Sequence, residues 1–186
     1  LWEQVLNLTL ADFQPDITIG DCSGRFHHSQ SVNTQIIPVY NFSHGTKLDL
    51  FLRKACSAEL VLICDDDFLI MDDTPLRWAS ERFAQDPDLA VVSLYPRPHI
   101  IPQLRDKVPE VMGSYCIIVR RDIWLRENLS FQIYKTPDWK SFGSYFDTAD
   151  YANLQLVERG YHIEIAPPEI RSRLITFFGS SMWGLK

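Results

Sequence analysis

Long apolar runs are missing from this sequence. No stretch approaches the ~18 consecutive apolar residues that read as a membrane span; the longest, residues 60–64, has the length of one buried strand. Paired cysteines are missing too. Cys22, Cys56, Cys64 and Cys116 stand far apart with no Cys-x-x-Cys spacing, which argues against a zinc site. They read as buried free thiols, the habit of cysteine in a reducing compartment. Positive charge is scarce: 18 Lys and Arg face 24 Asp and Glu, for a net charge of −6. With no basic stripe, the chain is not expected to bind a nucleic-acid backbone. No repeat, low-complexity tract or pair of histidines at metal-ligand spacing occurs, and His44 and His99 read as loop residues. Residues 1–10 carry neither a basic start nor a small-residue cleavage site, so no secretory leader is read there. The expected location is cytoplasmic or peripheral to a membrane.

What remains is an ordinary globular domain. At 186 residues, 46% hydrophobic and 23% charged, the chain can bury one core, and a single domain over 1–186 is expected. Apolar periodicity predicts helices over 1–13, 46–58, 74–85, 122–127 and 148–160. Pro75 suits the first turn of the third of these, Asp147 the cap of the last, and Gly160 its end. Strands are predicted over 16–20, 34–40, 59–64, 89–95, 111–120 and 161–166. The proline-rich stretch 96–109 and the aromatic stretch 129–146 read as irregular. Alternating strands and helices imply an α/β fold with a mostly parallel central sheet flanked by helices. Ligands of such sheets bind beyond the carboxyl ends of the strands. Asp21 and the triplet Asp65, Asp66, Asp67 follow strand ends, so one shared rim is expected.

The triplet carries the strongest chemical signal. In Leu60-Val-Leu-Ile-Cys-Asp65-Asp66-Asp67-Phe68 a buried strand delivers carboxylates to the sheet edge. Alternate residues of an extended chain share a side, which would let Asp65 and Asp67 converge on a cation while Asp66 faces away. Two carboxylates suit Mg2+ or Mn2+, which keep positions open for phosphate oxygens.

This segment resembles the Asp-x-Asp motif of glycosyltransferases with the GT-A fold, in particular glycosyltransferase family 2. Further segments resemble that family in order. Ile17-Thr-Ile-Gly-Asp21-Cys-Ser23-Gly is similar to the strand and turn that contact the nucleotide base. Residues 45–58 resemble the helix before the metal strand. Gly113-Ser-Tyr-Cys-Ile-Ile-Val-Arg120-Arg121 is similar to the strand lining the acceptor side, and residues 147–161 resemble the helix bearing the catalytic carboxylate. The family has a strand ahead of the helix at 1–13 that this sequence does not include, and its usual Glu-Asp pair is replaced by Asp147 and Asp150.

The resemblance implies a nucleotide-diphosphate sugar as donor, a carbohydrate or lipid-linked acceptor, and a divalent metal on Asp65 and Asp67. It implies donor contacts at Asp21, Lys47, Asp65, Asp66 and Arg120. Asp150 is the expected general base of an inverting transfer, with Asp147 second. Each has a plainer reading. Asp147 and Asp150 suit any helix start, Asp21 suits a turn, Lys47 and Arg120 suit a charged surface, and Trp139, Tyr145 and Phe146 suit a core as well as a sugar-stacking wall. Rival readings are a haloacid-dehalogenase-like phosphatase, whose first Asp would be a nucleophile, a nucleotidyltransferase, and a non-catalytic GT-A-like domain that binds carbohydrate or partners.

Overall fold

A computed structural model of the chain describes residues 8–10, 12–13, 15–21, 34–39, 42–65, 67–98, 110–135 and 145–176. At its centre is a four-stranded sheet. Its strands are β3 (Leu60–Cys64), β5 (Leu89–Ser93), β8 (Cys116–Arg120) and β11 (His162–Ile165), in the order β11-β5-β8-β3. β11 and β5 are parallel, whereas β8 is antiparallel to both of its neighbours. Strands β3, β5 and β11 therefore share one direction and β8 runs against them. The expected mostly parallel sheet is corrected to a mixed one. The reason lies in the connection. A parallel neighbour needs a long crossover, usually helical. Here β5 instead reaches β8 through a hairpin, β6 (Pro96–Pro98) against β7 (Glu110–Met112), and the chain simply turns back. The prolines of β6 do not prevent it from forming one arm of that two-stranded ribbon, where a missing donor can be tolerated at an edge.

Side-chain alternation builds a core on each face. On one face, Val61, Ile63, Ile117 and Val119 pack with Leu48, Leu52, Trp124, Phe131, Ala152 and Leu156. These come from α1 (His44–Leu50) with its π-helical continuation Phe51–Ala55, from α3 (Arg121–Arg126) and the loop after it, and from α4 (Asp150–Glu158). On the other face, Val92, Cys116 and Ile118 meet Ala79 and Phe83 of α2 (Thr74–Gln85) and Ile170 of α5 (Pro168–Arg171). Helices on both faces satisfy the apolar residues of a sheet buried from both sides.

Two ribbons add to this frame. β4 (Phe68–Ile70) pairs antiparallel with β12 (Leu174–Thr176), and β9 (Tyr134–Lys135) with β10 (Tyr145–Phe146). β1 (Ile17–Asp21) and β2 (Thr34–Pro38) form a parallel pair of their own. The expectation of one sheet carrying both Asp21 and the triplet is therefore corrected: β1 meets the main body where Ile17 packs against the cluster of Leu10 and Ile70, which Leu62 and Leu76 also join, and where Gly20 lies under the ring of Phe51. Of the helix predicted over 1–13, residues 8–10 and 12–13 are described and Leu8 and Thr9 are helical; the tail beyond 176 lies outside the described residues.

Candidate functional site

The rim where β3 and β5 end gathers most of the candidate chemistry. β3 stops at Cys64. The Asp65 amide then donates to the Tyr115 carbonyl at 2.8 Å, and the Phe68 amide donates to the Asp65 carbonyl at 3.2 Å. The second bond closes a turn between β3 and β4. The acidic segment is thus a turn rather than an extended strand end, and side-chain alternation is not what orients its carboxylates. Asp66 lies outside the described residues. Asp67 is half-buried, and its Oδ1 is buried without a hydrogen-bond partner. A buried carboxylate oxygen left in that state is costly unless a cation or donor meets it.

Helix α1 brings a histidine to the same rim. His44 Nε2 stands 4.0 Å from Asp65 Oδ1. Burial is the main cause that lowers the His44 pKa below its ordinary value; the Lys47 charge one turn on adds to this, and the Asp147 charge opposes it. Burial and the Lys47 charge thus both favour the uncharged imidazole beside Asp65. The helix is held tightly here. A side chain on Gly45 would run into the backbone of Phe131 and Gln132. From the next turn, buried Asp49 accepts hydrogen bonds from the Ser130 hydroxyl at 2.5 Å and the Phe131 amide at 3.0 Å. Loop 129–131 is thereby fixed against α1 and leads directly into β9.

The third component comes from the β6–β7 hairpin and the start of α4. Arg97 on β6 is ion-paired with Asp150, and its other terminal nitrogen lies 3.6 Å from Asp147. Asp150 is buried, with 1% of its side chain exposed, whereas the Asp147 side chain is 45% exposed. Asp150 also accepts the Asp147 amide at 2.9 Å, and the Asp147 carboxylate accepts the Thr148 amide at 2.7 Å. Asp147 therefore does not cap the helix, as the sequence suggested. Ala149 precedes α4 in a left-handed conformation, φ 69°, a strained setting for a residue with a side chain. The buried Asn153 side chain clamps α4 to the hairpin by accepting the Met112 amide at 3.2 Å.

The start of β8 supports both arms. Besides the Tyr115 carbonyl that holds Asp65, the Cys116 carbonyl accepts the Leu94 and Tyr95 amides at 3.0 and 3.4 Å, just ahead of Arg97. The acidic turn and the arginine hairpin hang from adjacent peptide units.

Of the expected site residues, Asp65, Asp67, Lys47, Asp147 and Asp150 belong to this region. Arg120 does not. It pairs with Leu60 at the far end of β3, opposite the end that leads to Asp65. There its guanidinium donates to the carbonyls of Phe83, Asp86 and Leu89 and pairs with Glu59. Asp21 ends β1 beside Gly20, which packs on Phe51 of the π-helical turn. Trp139 and His99 fall outside the described residues. Sequence reasoning missed His44 and Arg97. A faint signal for Arg97 existed: a lone cation between two prolines, just after a buried strand. His44 carried no such signal, since only the packing of Gly45 against loop 129–131 sets where its helix begins.

Among the described residues, no three His, Cys, Asp or Glu side chains form a ready cage for a metal ion. No family model matches the chain, and no curated protein is significantly similar to it in sequence. Among solved structures, the fold is similar to that of the mannosyltransferase PcManGT from Pyrobaculum calidifontis in complex with GDP-Man and Mn2+. The TM-score is 0.56 at 15% identity, over 89% of this chain and 51% of that one. The chain thus spans about half the length of the mannosyltransferase. A looser likeness, with TM-score 0.48 and 12% identity, is to 2-C-methyl-D-erythritol 4-phosphate cytidylyltransferase from Thermus thermophilus, over 90% of this chain and 85% of that one. The likeness to the mannosyltransferase is one of fold.

Proposed function

We propose that this chain is the catalytic domain of a metal-dependent glycosyltransferase that moves a sugar from a nucleotide-diphosphate donor to an acceptor hydroxyl with inversion. One observation carries the reading. His44 Nε2 lies 4.0 Å from Asp65 Oδ1 of the acidic turn, and the charge of Asp147, just ahead of α4, acts on the same ring. The residues suited to hold a diphosphate and those suited to take a proton therefore flank a single histidine. Sugar transfer needs that adjacency, because the anomeric carbon lies between the leaving diphosphate and the incoming hydroxyl.

Asp65 and Asp67 would hold the metal. The unpartnered buried oxygen of Asp67 fits that role. A third protein ligand is not required, since Mg2+ and its like are commonly held by one or two carboxylates, the rest being phosphate and water. When bound, the ion neutralises charge on the departing diphosphate. Lys47 would add a positive charge on the donor side, and Asp21 and Asp66 would contact the nucleotide. Asp147, with its exposed carboxylate, is the better base than the buried Asp150. It would accept the acceptor's proton at a carboxylate oxygen, while Arg97, anchored by Asp150, fixes its direction.

The test is calorimetry with GDP-, UDP- and dTDP-sugars, with and without Mn2+, followed by donor hydrolysis in the absence of acceptor. One donor should bind only with the metal. Asp67→Ala should abolish that binding while circular dichroism shows the fold retained. Unchanged metal-dependent affinity in the variant would refute the assignment. Binding without any turnover would point to a non-catalytic domain.

A further inference from the structure

Beside Asp147 and Asp150 lies a group of aromatic rings. Tyr134 and Phe146 are direct partners in the β9–β10 ribbon. Tyr151, in the first turn of α4, stacks on Tyr134 with ring centroids 4.3 Å apart and planes 15° apart. Phe146 meets Tyr151 edge-on at 5.5 Å and 60°. Phe146 precedes Asp147, and Tyr151 follows Asp150, so the rings bracket the carboxylate segment. Phe146 is buried at 6% exposure, yet Tyr134 remains 42% exposed, with Ile133 beside it in the chain at 49%.

We propose that the Tyr134 ring is the acceptor's seat, and that the acceptor is a saccharide whose pyranose C–H face lies on it. The proposal rests on the glycosyltransferase reading above and names the acceptor class for that site. Tyr151 occupies one face of Tyr134 and holds the ring rigidly, so little entropy is lost when a ligand covers the exposed part. The face of an aromatic ring is negative. Sugar C–H bonds, polarised by neighbouring oxygens, present the complementary sign. A lipid chain or a protein partner would need a broader apolar surface than one ring and one isoleucine. A sugar ring needs only this much, and its rim of hydroxyls then stands near the carboxylate proposed to take a proton.

The experiment uses the full chain and three plain probes: methyl α-mannoside, methyl β-glucoside and chitobiose. Saturation-transfer NMR reads contact with the protein, and Mn2+-dependent donor hydrolysis without acceptor is measured in parallel. At least one probe should bind the unmodified chain through its C–H face. Tyr134→Ala and Tyr134→Leu should weaken that binding roughly five- to tenfold, while Tyr134→Trp should retain it. Tyr134→Leu keeps an apolar side chain against Tyr151 and so separates the π face from mere packing. Donor hydrolysis should be the same in every variant. Absence of binding by all three probes, or full binding by Tyr134→Leu, overturns the proposal. If no protein hydrolyses any donor but the sugar contact still depends on Tyr134, the saccharide seat stands and the transfer reading falls.

Discussion

Asp147 and Asp150 lie three positions apart, and their sequence context suits either one to be a base or a structural acid. Burial separates them. Asp150 is buried against a largely buried arginine, so Asp150→Asn leaves Arg97 with only the more exposed Asp147 to answer its charge, a change that costs about 3 kcal/mol. Asp147 has solvent on one side, so Asp147→Asn should spare stability and lower turnover by roughly 10²–10⁴. Melting temperature and turnover at saturating donor, measured on both variants, decide this; loss of rate confined to Asp150→Asn would reverse the roles. Arg120 illustrates the opposite case. A cation on a predicted strand looks like a phosphate ligand in sequence, but the strand's direction is what decides its end of the sheet. Its guanidinium serves three carbonyls around the end of α2 and lies over the Phe83 ring at 5.2 Å. Arg120→Ala should therefore destabilise the chain by about 2–3 kcal/mol, the scale of charge-assisted hydrogen bonds, without altering donor affinity in calorimetry. The carboxylates were legible because an apolar strand followed by acids is a strong local pattern. Arg97 and His44 were not, because their value lies in partners more than fifty positions or a whole helix packing away.

Elements with a strong apolar pattern emerge where periodicity puts them. The run at 60–64 is β3, and α2 spans Thr74–Gln85, with Asp73 rather than Thr74 at the cap position. The predicted strand over 111–120 is instead two, β7 and β8, broken at residues 113–115, where the Gly113 site is filled by the Tyr115 ring. The break is a short Gly-Ser-Tyr step between two apolar runs, so it is marked by turn-type residues rather than by a change in the flanking hydropathy. The proline stretch hid a strand for the complementary reason: β6 needs few donors, since it is one arm of a short ribbon. At the start of β11, His162 Nδ1 lies 2.6 Å from Asp86, tying that strand to the connection between α2 and β5. The hydrogen bond to Asp86, and then its charge, raise the His162 pKa above 6.5, and the same bond lowers the Asp86 pKa below 3.8. The histidine's contribution to stability is complete below its ordinary value and is lost as pH rises through the raised one. The aspartate's is complete above 3.8 and is lost as pH falls through its lowered value. Both groups are solvated, so the effect should stay under about 1 kcal/mol. The melting-temperature difference between the unmodified chain and His162→Gln should be present near pH ~5.5 and vanish near pH ~9; a difference growing with pH would contradict the pairing.

At one end of the central sheet the candidate site residues gather, and at the other Arg120 ties strand ends and α2 together. The alternation of strands and helices made the α/β class legible, and with it the rule that ligands gather at strand ends. The reversed direction of β8 was not legible, because an antiparallel and a parallel buried strand carry the same apolar residues. That reversal has a kinetic consequence. β8 is paired on both sides, with β3 and with β5, and the carbonyls of Tyr115 and Cys116 at its start also hold Asp65 and the strand end before Arg97. In hydrogen–deuterium exchange, the β8 amides should be among the slowest, opening only with global unfolding, and the Asp65 amide should be far better protected than others in its turn. Fast exchange at Ile117 to Val119 would show that the centre breathes independently. If it does not, the acidic turn and the arginine hairpin cannot drift apart by local fraying. Any ligand that enters between them would then meet two arms whose separation is set by β8 itself.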